Sequence, residues 1–318
     1  MSELNPQVPV TVLNFVRAET DMTMDRYVKL DAFGKFLHIR HPTPLDKQGI
    51  IRMNRDTLYS FGAFDLTEPV TITKPDPGNR FMTLNTSSQD HSISQAIYDA
   101  GDFTFTQEDI RSRYLFVGFR TAVNANDPED IKKVNELQDR IKVKQANIGT
   151  FEIPNWDLES LSIVREAILV LANTMPNSNE MFGDKSKLDP IQHLLGTAFG
   201  WGGNPKETAI YLNVVPPQND GKMPHVLTVK DVPVDAFWSI TIYNARGFME
   251  PNNRDAVAVS SATAKPNADG SVTIHFGGPE DAATGDLAGS DNPPSEPQTT
   301  TTTRRRGRPP GSRSKKPT

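Results

Sequence analysis

Between Asp189 and Val214 the chain reads DPIQHLLGTAFGWGGNPKETAIYLNV, a helix start, a glycine turn and a β-rich run set end to end. Asp189 can cap a helix whose first residue is Pro190, where a missing amide hydrogen costs nothing and the fixed φ suits the first turn. Gln192 stands where its side chain would reach back to the cap. Gly200, Gly202 and Gly203 then break the helix, and Asn204-Pro205 turns the chain into an expected strand over Ala209–Val215.

No cysteine occurs in the 318 residues, so the fold cannot lean on disulfides and no thiolate is available as nucleophile or ligand. A metal site would have to use the six histidines and the carboxylates. The formal charge of −5 conceals an asymmetry. Arg304, Arg305, Arg306, Arg308, Arg313, Lys315 and Lys316 leave 27 basic against 39 acidic residues on the rest, or −12. Such a body is not a general nucleic-acid binder, whereas its tail has the charge of one. The opening MSELNPQVPVTVLNF lacks a basic segment followed by an apolar core, so no secretory signal is expected, and no apolar run approaches the ~20 residues that span a bilayer. A cytoplasmic location is expected, or a nuclear one if the basic tail is a genuine part of the protein.

Val12, Phe15, Val16, Met22, Tyr27, Leu30 and Phe33 form an imperfect helical stripe that Gly34 can end. Strand signals follow at Gly49–Met53, Thr57–Phe64, Val70–Thr73, Phe81–Asn85 and Tyr114–Thr121. Helical spacing returns over Glu129–Gln145 and over Leu158–Met175, the latter capped by Asp157. After the glycine turn, His225–Lys230, Phe237–Tyr243, Ala256–Ser260 and Ser271–Phe276 read as strands, with Asp269-Gly270 as a hairpin turn before the last. From Pro279 large apolar residues nearly vanish, and such a segment cannot offset the entropy of ordering. This predicts an α+β, β-rich chain: two β-sandwich-like modules with intervening helices and a disordered C-terminal tail. The boundaries fall at 10–128, 129–200, 201–278 and 279–318.

Five ordered blocks carry a family resemblance: MNRDTLYS at Met53–Ser60, NWDLES at Asn155–Ser160, the Asp189–Val214 stretch, VPVDAFWSITIYNARGF at Val232–Phe248 and NADGSVTIHFGG at Asn267–Gly278. Together they resemble the family that pairs the domains of unknown function 1254 (amino-terminal) and 1214 (carboxy-terminal) over roughly residues 10–278. The resemblance implies two β-rich modules with helices between them and brings no reaction with it. It also implies a further Trp-, Tyr- and Arg-rich segment after the final strand. Its replacement here by the 279–318 tail is expected to leave a sheet edge unpaired.

Asn54, Arg55, Asp56 and Tyr59 pack polar groups between apolar strands. An arginine there can clamp a carboxylate, with Asp56 as base or ligand; the alternative is an internal Arg55–Asp56 network that closes one module on the other. Asp90 and His91 are the one adjacent carboxylate and imidazole, which meet only if they lie in a turn. His38 and His41 make no metal pattern beside Pro42, and His193 reads as a buried, bonded histidine. Trp201, within Gly200–Asn204, either packs internally or stacks on a ligand; no phosphate loop and no nucleophile elbow are present. Arg306-Gly307-Arg308-Pro309 resembles an AT-hook, in which glycine lets the backbone sink into a narrow A·T minor groove, and the readings as a nuclear-import-like basic cluster or a nonspecific polyelectrolyte tail together outweigh it.

The resulting expectation is a small-ligand binder or enzyme with a polar cleft between modules. Asp56 and His91 are the proton-transfer candidates, and Asn54, Arg55, Tyr59, Asp90 and Trp201 the ligand contacts. The alternative is a noncatalytic protein that docks on A·T-rich DNA through its tail.

Overall fold

The computed structural model describes residues 6–252 and 255–277, with 94–95 in backbone only. The tail over 279–318, including Arg306, Gly307, Arg308 and Pro309, lies outside the described residues. The chain runs α1 (Phe15–Lys29), β1 (Leu37–His38), β2 (Thr57–Asp65), β3 (Val70–Lys74), β4 (Met82–Ser88), β5 (Ile93–Ile97), β6 (Gly101–Phe105), α2 (Gln107–Ile110), β7 (Tyr114–Ala122), α3 (Pro128–Asp139), β8 (Lys142–Gln145), α4 (Leu158–Ala172) and α5 (Pro190–Gly200). It ends with β9 (His225–Val229), β10 (Ser239–Thr241), β11 (Ala258–Ser260) and β12 (Val272–Phe276). The fold is α+β, with antiparallel sheets.

In the first module a five-stranded sheet, β1-β2-β7-β4-β5, faces a three-stranded one, β6-β3-β8. Period-two alternation puts Phe64, Leu84, Leu115, Val117 and Phe119 of the larger sheet against Val70 and Ile72 of the smaller. Each such side chain contributes about 1.5–3 kcal/mol through burial. The opposite face of the larger sheet is also covered. Tyr59, Phe61, Ala63 and Phe116 pack there against Met24 and Tyr27 of α1, Trp201, and Met249 and Val257 of the second module. All nine residues of β2 are therefore buried, and this second core joins the modules.

The helices follow their caps. Asp189 Oδ1 accepts from the amides of Ile191 and Gln192 at 2.9 and 3.1 Å, with Pro190 first in the helix, as expected. Asp157 likewise caps α4. The first helix stops before Gly34, at Lys29, because Asp31 takes the left-handed turn (φ 73°). Four expectations change. The helix expected to reach Gln145 ends at Asp139, and 142–145 returns as β8 on β3. Gly49–Met53 is not a strand, because its polar groups go to the second module: the Arg52 amide donates to Gly247 O at 2.8 Å and the Tyr243 hydroxyl to Met53 O at 2.9 Å. Ala209–Val215 has strand composition without a strand beside it, and forms no ladder. The Asp269-Gly270 turn forms, yet β12 pairs with β9 rather than with the strand before the turn.

The second module holds two antiparallel pairs, β9 with β12 and β10 with β11, over a small core of Val259, Val272 and Ile274. Among the described residues no helix is long and apolar enough to cross a membrane.

Candidate functional site

The polar segment that precedes β2 lies at the seam between the modules. Asn54 Oδ1 accepts from the amides of Asp56 and Thr57 and from the Thr57 hydroxyl, at 3.0–3.2 Å, which locks the entry turn of the strand. Arg55 reaches across the seam in a bidentate pair with Asp255 (2.9 and 3.3 Å). It thus closes one module on the other, with Asp255 as partner in place of the expected Asp56. Tyr59 stacks on Phe61 and is held within the second core.

Asp56 is different in kind. It is 7% exposed, and its Oδ2 has no hydrogen-bond partner among the described residues. Burial pushes its pKa up; the nearby Ser239 and Ser260 hydroxyls and the charges of Arg120 and Arg55 pull the other way without cancelling the shift. The carboxyl borders a cleft of about 240 Å³ whose walls come from both modules: Arg80, Asn124 and Asp130 on one side, Phe237 and Ser260 on the other. Arg80 is already engaged, since it forks onto Asp130 and donates to Ala122 O at 2.7 Å. That hydrogen bond holds Asp130 below the usual carboxylate range. The two cleft carboxyls are thereby separated chemically, Asp130 fixed as an anion and Asp56 biased towards holding a proton.

Asp90, His91 and Trp201 lie elsewhere. Asp90 and His91 sit beyond the far end of β4, roughly 20 Å of strand from the end beside Asp56. They share the expected turn but do not meet. Asp90 pairs with Arg17 (2.6 Å) and Lys185 (3.0 Å); burial alone would raise its pKa, and these two partners outweigh it. His91, with left-handed backbone (φ 54°), is buried between His193 and Trp201, whose ring centroids stand 5.8 and 5.4 Å away. The Gly202 amide donates to His91 Nε2 at 2.8 Å. The imidazole proton therefore sits on Nδ1 and goes to Thr197 Oγ1 at 3.0 Å, and Thr197 in turn donates to His193 O. Burial, with His193 beside it, lowers the His91 pKa to about 3, so the ring stays neutral and fully bonded as a structural element. Trp201 is 6% exposed, donates to Thr20 Oγ1 at 3.0 Å and meets Phe116 edge-on: it packs internally. Left-handed Gly202 (φ 79°) delivers the amide to His91, and a Cβ on Gly203 would lie 2.6 Å from the Phe182 ring.

The grouping missed from sequence is the polar row beside Asp56. On the second-core face of the large sheet, Tyr59, Arg120 and Thr83 stand directly opposite one another on β2, β7 and β4. The signal was present, since Arg120 is the one charge in the nine-residue central strand YLFVGFRTA. A larger cleft of about 410 Å³, between Leu45–Gln48 and Asn244–Pro251, is bordered by a lock in which Gln48 bonds the backbone of Met249. His38 bonds Ser60, and among the described residues no three metal-ligating side chains cluster.

Comparison with known proteins agrees with this two-part layout. Residues 33–145 match the family described as protein of unknown function (DUF1254), and residues 217–287 match protein of unknown function (DUF1214). The chain belongs to this paired family. No curated protein matches it. Among solved structures, the crystal structure of the VPA0106 protein from Vibrio parahaemolyticus is similar with a TM-score of 0.62 at 17% identity, covering 88% of this chain and 91% of that one. A putative uncharacterized protein from Burkholderia cenocepacia is similar with a TM-score of 0.52 at 14% identity, covering 88% and 81%. At such identities the likeness is one of fold.

Proposed function

We propose that the protein binds a small polar molecule in the seam cleft, with Asp56 as the group that exchanges a proton or a hydrogen bond with it. The observation that carries this reading is the buried, unpartnered Oδ2 of Asp56 at the border of a cleft built by both modules. A carboxyl whose pKa is raised by burial keeps its proton to higher pH than an ordinary aspartate and can act there as an acid or donor. His91, held neutral and saturated, leaves Asp56 as the proton-transfer group of the pair. In a fragment screen by NMR on the full chain, molecules that shift the Ser239 and Ser260 amides should bind Asp56→Asn at least about tenfold more weakly, the effect of one hydrogen bond lost in a buried site. Equal binding to both proteins contradicts the reading.

A second reading rests on charge alone, the seven cations after residue 303 set against an acidic body. If Arg306-Gly307-Arg308-Pro309 enters a minor groove, the 299–318 peptide should prefer A·T-rich over G·C-rich duplex, and Arg308→Ala should erase the preference. Equal affinity for both duplexes at near-physiological salt reduces the segment to a generic basic tail.

A further inference from the structure

We propose that Arg120 anchors a carboxylate, and that the molecule held at the seam is a small hydroxycarboxylate. The inference rests on the seam-cleft reading and deepens it.

Six other arginines (Arg17, Arg40, Arg55, Arg80, Arg113 and Arg165) each pair with a carboxylate. Arg120 is half-buried in the central strand, and among the described residues its guanidinium has no hydrogen bond and no ion pair. Its contact is a ring: the guanidinium carbon stands 5.9 Å from the centroid of Phe81. Phe81 in turn meets Phe237 edge-on at 5.3 Å, and Phe237 lines the cleft that Asp56 borders. The Arg120 charge is felt at Asp56.

The neighbours of Arg120 are short of partners as well. Thr83, directly opposite on β4, is 3% exposed with an unbonded Oγ1. Two residues on, Asn85 faces Gly118, which puts no side chain beside it. Asn85 Nδ2 is spent on Asn204 Oδ1 at 2.8 Å, and its own Oδ1 is buried without a donor. One face of the sheet thus presents a free guanidinium fork, a free hydroxyl and a free acceptor. Buried polar groups are nearly always bonded, and two buried unmet groups beside an unpaired, half-buried guanidinium describe a complementary molecule. A carboxylate satisfies the Arg120 fork and the Thr83 hydroxyl, and an adjacent hydroxyl on the same molecule donates to Asn85 Oδ1. Charge selects carboxylate over phosphate. Arg80 is neutralised by Asp130, so Arg120 supplies one uncompensated cation, and a phosphate dianion would meet Asp56, Asp127 and Asp130 with its second charge.

The test uses the full chain at fixed ionic strength, with sodium lactate, acetate and inorganic phosphate as probes, read by amide NMR over 118–122. Lactate should give saturable shifts, acetate weaker ones, and Arg120→Gln should weaken lactate binding at least tenfold. Thr83→Val, nearly isosteric, should weaken it several-fold, and it serves as the test if Arg120→Gln fails to fold. Phosphate should act alike on wild type and Arg120→Gln, because the basic tail is common to both. Asp56→Asn should weaken lactate binding about tenfold, as expected for other seam ligands; weakening by Arg120→Gln without weakening by Asp56→Asn fails the Asp56 reading alone, and the reverse fails the Arg120 assignment alone. The assignment is overturned if lactate shifts do not saturate, if the variants bind it as wild type does, or if phosphate rather than lactate is the anion lost with Arg120.

Discussion

The two modules use the same kind of strand to opposite effect. In the first, β2 and β7 pair along nine residues of a five-stranded sheet, and β2 lies buried on both faces. In the second, four short strands form two separate pairs, and apolar residues that a larger sheet would cover stay in water: Leu212 is 83% and Val214 82% exposed, in a run that finds no ladder. Large patches of exposed apolar side chains are uncommon on soluble monomers and mark surfaces that associate. The difference is one of framework and cover. The first module sets Arg120 and Thr83 in register on a long paired sheet, and the second supplies Ser239, Ser260 and Phe237 from two short strands and the segment before β10.

The largest effect expected from this contrast is in the first core. Phe119→Ala, at a fully buried site between the two sheets, should cost about 3–5 kcal/mol and unfold the chain as a unit in urea. Ile274→Ala, equally buried but in the small second core, should lose β9 and β12 while near-native amide shifts persist in β2 and β7. Simultaneous loss of both modules in Ile274→Ala would show that they fold as one body.

The next effect is one of pH. The unfolded His91 titrates at its ordinary value near 6.5, whereas the folded ring is pushed down to about 3 by burial. The unfolded state therefore binds the proton first, and the stability due to the neutral ring is full above about pH 6.5 and is lost progressively as pH falls towards 3. Between pH 7 and pH 5 this amounts to about 2 kcal/mol. Urea melts should show a fall steeper by that amount in wild type than in His91→Gln; parallel pH profiles would mean that His91 is protonated in the folded protein.

Much of this contrast was legible in the sequence, and the parts that were not share a physical origin. Caps and periodicity placed α4 and α5 because their determinants lie within one turn: Asp157 and Asp189 are read locally. The strand expected at Ala209–Val215 failed because a strand needs a neighbour, and no local pattern reports one. Asn54–Tyr59 was found as a polar cluster, but the Asp255 partner of Arg55 lies 200 residues away and only the fold supplies it. Asp90 and His91, adjacent in the chain, face different partners, while Asp56, Arg120 and Thr83, far apart in the chain, come together through strand register.

The smallest effect concerns the clamp at the seam. The Arg55–Asp255 pair is bidentate, yet Asp255 is 70% exposed, so solvent screens it and Arg55→Leu should lower stability by less than about 1 kcal/mol. A loss of several kcal/mol would make the seam a major source of stability and the second module more than a cover.

The most direct measurement is the titration of the Asp56 carboxyl, followed by carboxyl-carbon NMR in wild type with Asp56→Asn to assign the signal. A buried carboxyl with an unpartnered oxygen should titrate clearly above the ordinary aspartate value of 3.8, and the midpoint should rise further in Ser260→Ala, which removes a nearby hydroxyl that favours the charged form. A midpoint at or below 3.8 would place Asp56 among the paired structural carboxylates and contradict the seam as the working site of the protein.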